Sequence, residues 1–408
     1  LPEGEIVWSI QQDHVMPDLL FLGAETGIYV STNRGENWHK LNGNAPTISF
    51  RDIKIHRRDN DLVGATFGRG IFILDDYSAL RDIASGALDA DATLFPVRDA
   101  WSYVPMVPGQ AIGLPTFGST YFVAPNPPFG ALLTYHLKAD ALSARDSRLE
   151  AERNLNQAGS NVPFPGWGRL LAESLESPPK ALVLIRGADG QTVRWLEGPA
   201  KKGIHRISWD LRHPAPDAIS LVEPGFKPPW VTDPTGPLVG PGRYSAELIL
   251  LAGGQANALG EPRYFEVRPV PNAPGAANLA AVADFQKETL DLMRQVSSAE
   301  REIQRTEEQL LRMRAALMQA TTTDPALNQT FDEFAAALNG VKTRLSGDAI
   351  RGNLNEATIP SIKSRVQRVA WYHWGTRQMP TATQRESIGI ATGELAQLRS
   401  DMSKLLEE

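Results

Sequence analysis

Two stretches near the start of the chain repeat each other without a gap. "WSIQQDHVMPDLLFLGAETGIYV" from Trp8 aligns with "RDIKIHRRDNDLVGATFGRGIFI" from Arg51 at an offset of 43 residues. Ile10 falls on Ile53, Asp18 on Asp61, Leu19 on Leu62, Gly27 on Gly70, and Ile28, Tyr29 and Val30 on Ile71, Phe72 and Ile73. Each copy carries an apolar strand, a glycine turn and a second strand, as the inner hairpin of a blade should. A period of about 40–45 residues built of short strands is that of a β-propeller, not of a helical solenoid. Blades bury their faces only against neighbouring blades, and a ring needs at least about four. Residues 1–80 are therefore expected to be the last blades of a longer propeller. The partners this requires are the remaining blades, from the same precursor or from a companion chain.

The loop "STNRGENWHKL" (Ser31 to Leu41) joins the second strand of the first copy to a third. Its residue types suit a tight turn: the Ser31 hydroxyl and the Asn33 amide can bond backbone N–H groups, Gly35 can take a positive φ, and Trp38 can pack between strands. Ser31, Asn33, Gly35 and Trp38 fit S-x-D-x-G-x-x-W with Asn in place of Asp. The pattern resembles the Asp-box (BNR) hairpin of sialidase-like and sortilin-like propellers. The resemblance implies a structural role for these four residues, away from any catalytic centre; a surface contact with a ligand or ion is the alternative. The second copy ends "ATFGRGIFILDDYSALRDI", which looks like the closing blade of bacterial exported, sortilin-like BNR-repeat proteins, with Phe67 where their usual form has His. That resemblance implies export to periplasm, cell surface or medium.

Beyond residue 80 the strand pattern returns at "ATLFPVRDAWSY" and continues through "GALLTYHLKA". A polar, Ala-, Arg- and Glu-rich excursion follows, and a helical insertion is expected near residues 140–175. "KALVLIRGADGQTVRWLEG" reads as a hairpin about Asp189-Gly190. Ile207, Trp209 and Leu211 alternate inward in the next strand, and Tyr244, Ala246, Leu248 and Leu250 in the one after. The succession resembles the fibronectin-type or Ig-like sandwich that follows the propeller in the same bacterial class. It implies a β-sandwich over residues 93–272, a module that spaces and supports others. Trp167 and Trp230 stand in Pro/Gly-dense surroundings, where they are candidate contacts for a sugar or peptide ligand; pinning of long loops is the structural alternative.

From residue 276 to 408 the pattern is helical. Phe285, Thr289, Leu292, Val296, Ala299, Ile303, Thr306, Leu310, Met313 and Leu317 step by four and three residues, predicting one long helix with a coiled-coil-like stripe. Shorter amphipathic helices follow, with Phe331 to Leu345, Ile362 to Val369 and Leu395 to Leu405 inward, so an antiparallel bundle or hairpin is expected. "AWYHWGTRQMP" groups Trp371, Tyr372, His373 and Trp374 at a helix end, where filling the core is the expected role and an exposed contact patch the alternative.

The fold class expected is thus multidomain, mainly β and then α. Function is constrained mostly by exclusion. Net charge is −6 over 408 residues, which gives no electrostatic reason for a nucleic-acid or anionic-membrane partner. No apolar run reaches the roughly 18 residues of a membrane span. Without cysteine there are no disulfides, thiolate metal sites or thiol nucleophiles. The seven histidines form no HExxH motif or i, i+4 pair, so neither a metal site nor a cofactor is expected. No nucleophile elbow or phosphate loop appears. A glycosidase needs two carboxylates about the scissile bond, and the spacing of Asp13, Glu25, Asp52, Asp75 and Asp76 selects no pair, so no residue is nominated as catalytic. The reading is a noncatalytic recognition, assembly or scaffold portion that binds protein or glycan and is open to homo-oligomerisation. The alternative is the accessory part of a glycoside hydrolase whose active site lies in other blades.

Overall fold

The computed structural model describes residues 1–105, 120, 126–219, 225, 226, 228, 233–273, 275–321, 324 and 326–407. The chain is β-rich first and helical afterwards. It divides into two compact units, one made of residues 1–100, 126–210 and 243–266, the other of 101–125, 211–242 and 267–408.

In the first unit, β1 (Val7–Gln12), β2 (Leu20–Ala24), β3 (Ile28–Ser31) and β4 (His39–Lys40) form an antiparallel meander in chain order. The second copy of the repeat gives β5 (Phe50–His56), β6 (Asp61–Thr66) and β7 (Ile71–Leu74), again in chain order. Phe21 and Val30 of the first sheet share one core with Phe50, Ile53 and Leu62 of the second, and Phe72 and Leu74 pack against it. The close approach depends on Gly23: a Cβ there would lie 2.7 Å from the Phe50 carbonyl oxygen. On β7, Ile71 and Ile73 alternate with those inward residues and are 66% and 58% exposed.

A buried ionic centre ties this stack to α1 (Ala79–Ala84). The Asp13 carboxylate accepts from Arg81 Nε and Nη2 (2.9 and 2.8 Å), the Tyr77 hydroxyl (2.6 Å) and the Met16 and Val15 N–H groups (2.7 and 3.0 Å). Burial alone would raise the pKa of Asp13, but these five donors outweigh it and hold the carboxyl well below its usual range.

The strand pattern at 92–102 is divided between β8 (Ala92–Leu94) and β9 (Ala100–Ser102), which belong to different sheets. Pro96 lies between them and has no N–H to give a ladder. There follow β10 (Ala131–Leu137), α2 (Ala144–Gln157), α3 (Trp167–Leu175), β11 (Lys180–Gly187), β12 (Thr192–Gly198), β13 (Gly203–Trp209), β14 (Gly242–Ala252), β15 (Gln255–Ala258) and β16 (Arg263–Pro269). One sheet has the order β13-β10-β8, the other β12-β11-β14-β16-β9, with β15 on β14. Trp209 of the first is fully buried and meets Tyr244 and Phe265 of the second edge-on, with centroids at 5.4 and 6.2 Å. Leu211 is buried but lies beyond the end of β13, at φ 55°.

The second unit holds α4 (Leu279–Leu317), α5 (Ala326–Ser346), α6 (Ala349–Asn353), α7 (Ile362–His373) and α8 (Ala382–Glu407). The stripe of α4 is buried from Phe285 to Ile303 and packs with Leu338, Val341 and Leu345, Ile362, Val366 and Val369, and Leu395, Leu398 and Met402. Past Ile303 the stripe thins: Thr306, Leu310 and Leu317 are half-buried and Met313 is exposed. With 39 residues α4 runs about 58 Å, whereas the 12 residues of α7 cover about 18 Å, too little to flank it throughout.

The aromatic group at the end of α7 also departs from expectation. Val366, Val369, Ala370 and His373 are the buried face, at i, i+3, i+4 and i+7. Trp371 and Tyr372 lie off that face and are 84% and 67% exposed. Core filling there falls to His373, which takes an edge contact with Phe285 at 5.1 Å.

Candidate functional site

The loop after β3 closes on itself. Ser31 Oγ is buried, accepts from the Gly35 and Asn33 N–H groups (2.8 and 3.3 Å) and donates to Asn33 Oδ1 at 3.0 Å. Asn33 Oδ1 also accepts from the Asn37 N–H at 2.9 Å. Gly35 has φ 92°, and a Cβ on it would come within 3.3 Å of the Trp38 ring. Trp38 packs against Leu22, Ala24 and Tyr29. The Ser31 and Asn33 oxygens are thus used inside the turn. Ser31→Ala should therefore cost about 1–2 kcal/mol, since two backbone donors lose a buried acceptor. Urea denaturation with hydrogen exchange on β3 and β4 reads this; an unchanged midpoint would show that the hydroxyl adds nothing.

At the seam of the two sheets, residues that are equivalent in the repeat meet. Arg51 lies 3.6 Å over the Trp8 ring and 5.1 Å from that of Phe67. Trp8 Nε1 donates to Glu25 at 2.8 Å. One step along, Ser9 Oγ donates to Asp52 at 3.3 Å, and Lys54 bonds the same carboxylate at 3.0 Å. Four of the five strand-end carboxylates thus have partners within the protein: Asp13, Glu25 and Asp52 as above, and Asp76 through Ser78 Oγ at 2.6 Å. Asp75 is different. Burial, with the Asp61 carboxylate nearby, raises its pKa against the opposing pull of Arg206 and Arg98.

The β5–β6 turn gathers a group that the histidine spacings did not signal: ligand atoms of His56, Asp59 and Asp61 lie within 4.8 Å of one another. The signal was His-x-x-Asp-x-Asp across a strand–turn–strand, where motifs for helices do not apply. Arg58 stands 2.8 Å from Asp59, and Arg98 3.8 and 3.9 Å from Asp59 and Asp61. Guanidinium groups therefore supply the positive charge that these carboxylates need.

Trp167 opens α3 at 79% exposure, edge-on to Phe164 at 5.1 Å. Leu171 and Leu175 extend an exposed apolar stripe at i+4 and i+8. The opposite side is fixed to α2: Arg148 bonds Glu173 at 2.8–3.0 Å, and Arg169 bonds it at 3.1 Å. Trp230 lies outside the described residues.

No protein-family model matches this chain. No curated protein matches it either. Among solved structures, the extracellular domain of the one-component system BT4673 from B. thetaiotaomicron aligns over 67% of this chain and 26% of its own, at 13% identity and a TM-score of 0.15. PorZ, a bacterial surface component of the type-IX secretion system of Porphyromonas gingivalis, aligns over 64% and 30%, at 13% identity and a TM-score of 0.16. The chain spans about a quarter to three-tenths of the length of these proteins. Likeness at this level carries no argument about family or activity. No helix among the described residues is long and apolar enough to cross a membrane.

Proposed function

We propose that this chain is the noncatalytic recognition and assembly portion of an exported sortilin-like, BNR-repeat β-propeller protein. In this reading residues 1–80 are the last blades, 93–272 an Ig-like sandwich with a helical insertion, and 276–408 a helical domain. The observation that carries it is the stack of two sheets related by the 43-residue repeat, whose shared core is closed while Ile71 and Ile73 stay exposed on the outer face. Apolar strands of this kind are covered by a further blade in a ring. The exposed stripe of Trp167, Leu171 and Leu175 adds a second surface, of the shape that a helix offers to a partner's groove. Four of the five strand-end carboxylates are engaged, which leaves Asp75 without a free second among them to form a glycosidase pair in this portion.

Two measurements test the reading on the native polypeptide. Ile73→Lys should destabilise it by about 1–3 kcal/mol, because a charge enters a blade interface, and leave the 408-residue chain unchanged. Equal behaviour in both would remove the blade interpretation. Glycan-array binding and a panel of aryl glycosides then separate recognition from hydrolysis. Turnover that one carboxylate substitution in another blade abolishes would favour the glycoside-hydrolase alternative.

A further inference from the structure

The helical unit contains a cleft of about 810 Å³ beside the end of α7. Asp217 and Asp233 come from the two loop segments on one side, Met293 from α4, and Arg368, Trp371 and Tyr372 from α7. The volume lies in the usual range for small-molecule sites, about 300–1,000 Å³. We propose that this cleft binds a neutral oligosaccharide.

The aromatic rings are the first reason. Trp371 and Tyr372 are the most exposed aromatic pair adjacent in sequence among the described residues, and the fold holds them there. Gln286 Nε2 of α4 donates to the His373 carbonyl at 2.8 Å, and His373 Nε2 lies 3.0 Å from the Gln378 carbonyl. The end of α7 is thereby fixed in rotation, and its two outer rings face solvent beside the cleft. A sugar ring has an apolar C–H face that suits the negative face of an indole or phenol.

The rest of the lining supplies the other half of sugar chemistry. Carboxylates accept from hydroxyl groups and guanidinium groups donate to them. Among the described residues the lining holds both kinds, Asp217 and Asp233 with Arg212 and Arg368, two charges of each sign, which favours neither a phosphate nor an acidic peptide. Trp374 also lines it, and its Nε1 is buried with no acceptor among the described residues.

The described ends of the loop wall, 211–219 and 233–240, are braced from within the protein. Arg212 pairs with Leu238 in a short antiparallel bridge, Arg212 Nη1 donates to the Gly236 carbonyl at 3.0 Å, and the Ala218 N–H bonds Ser297 Oγ of α4 at 2.8 Å. A wall ordered in advance lowers the entropic cost of binding. All of these groups belong to the helical unit, so the proposal stands apart from the blade reading.

The test is isothermal titration of the 408-residue chain with maltohexaose, cellohexaose and chitohexaose in turn, and with decaproline. At least one hexasaccharide should bind saturably, and Trp371→Ala and Tyr372→Ala should each weaken it by about tenfold or more, as loss of a central aromatic anchor does. Both positions are exposed, so the variants should keep the parent circular dichroism. Absence of saturable binding by every hexasaccharide overturns the proposal, as does unchanged affinity in Trp371→Ala. Saturation by decaproline alone also overturns it and assigns the cleft to a peptide.

Discussion

Asp13→Asn should destabilise the two-sheet stack by about 3–5 kcal/mol, the usual cost of removing one partner from a buried pair. The substitution keeps the volume of the side chain, so the loss is electrostatic. Arg81 and the Tyr77 hydroxyl keep their positions but lose the anion: the Asn amide offers one accepting oxygen where the carboxylate had two, and its NH2 faces donors, while the Asn60 Oδ1 contact of Arg81 at 2.8 Å remains. The pH dependence gives an independent reading. The folded pKa of Asp13 lies below its unfolded value of about 3.9, so its contribution is present above that value and is lost as pH falls through the folded pKa. The parent stack should therefore lose stability below about pH 4, and Asp13→Asn should lack that component. Urea denaturation followed by hydrogen exchange on β1 to β7 measures both effects. A variant within 1 kcal/mol of the parent would show that the centre is not a keystone.

That centre also marks the limit of what the sequence discloses. The strands of the first unit were legible because the 43-residue offset superposes two patterns, and alternation within each copy orients the side chains. The partners of Asp13 lie 64 and 68 residues away, and only the stacking of the sheets brings them together. The same holds for Arg51 over Trp8: the repeat aligns them, but nothing in the pattern states that equivalent positions stack. At the end of α7 the helical phase of the sequence and its aromatic content point in opposite directions. Continuing the spacing of Ile362, Val366 and Val369 leads to His373, so Trp371 and Tyr372 fall outside the buried stripe. Aromatic content suggested core; helical phase says surface. The His56, Asp59 and Asp61 group needed the β5–β6 turn, which a search for helical spacings does not see. The shared lesson is that periodicity along an element survives folding intact, whereas groups assembled across elements depend on registers that local pattern leaves unset.

The helical unit should in turn lose about 3 kcal/mol of stability as pH falls from 6.5 to 4, and His213 is the main cause. Burial pushes the His213 imidazole down to about 4, and the Arg294 and Lys287 cations of α4 add to the effect, with Asp291 opposing. The unfolded value is about 6.5, and each pKa unit is worth about 1.4 kcal/mol. Because the folded pKa is depressed, the unfolded state binds the proton first. The contribution is whole above pH 6.5 and is lost progressively as pH falls through the folded pKa. His373 is lowered as well, chiefly by burial, and acts in the same direction. His213→Gln should therefore flatten most of the slope and leave the part that belongs to His373. Thermal melts of the helical circular dichroism between pH 7 and 4 measure this, and a variant that keeps the full slope would clear His213 of the role. The consequence reaches the cleft. The backbone N–H of His213 bonds the Pro237 carbonyl at 3.0 Å, next in sequence to Arg212, which lines the cleft. A proton on the ring adds a cation there against those of Arg294 and Lys287, so hexasaccharide affinity should weaken over the same pH interval in the parent and hold steady in His213→Gln.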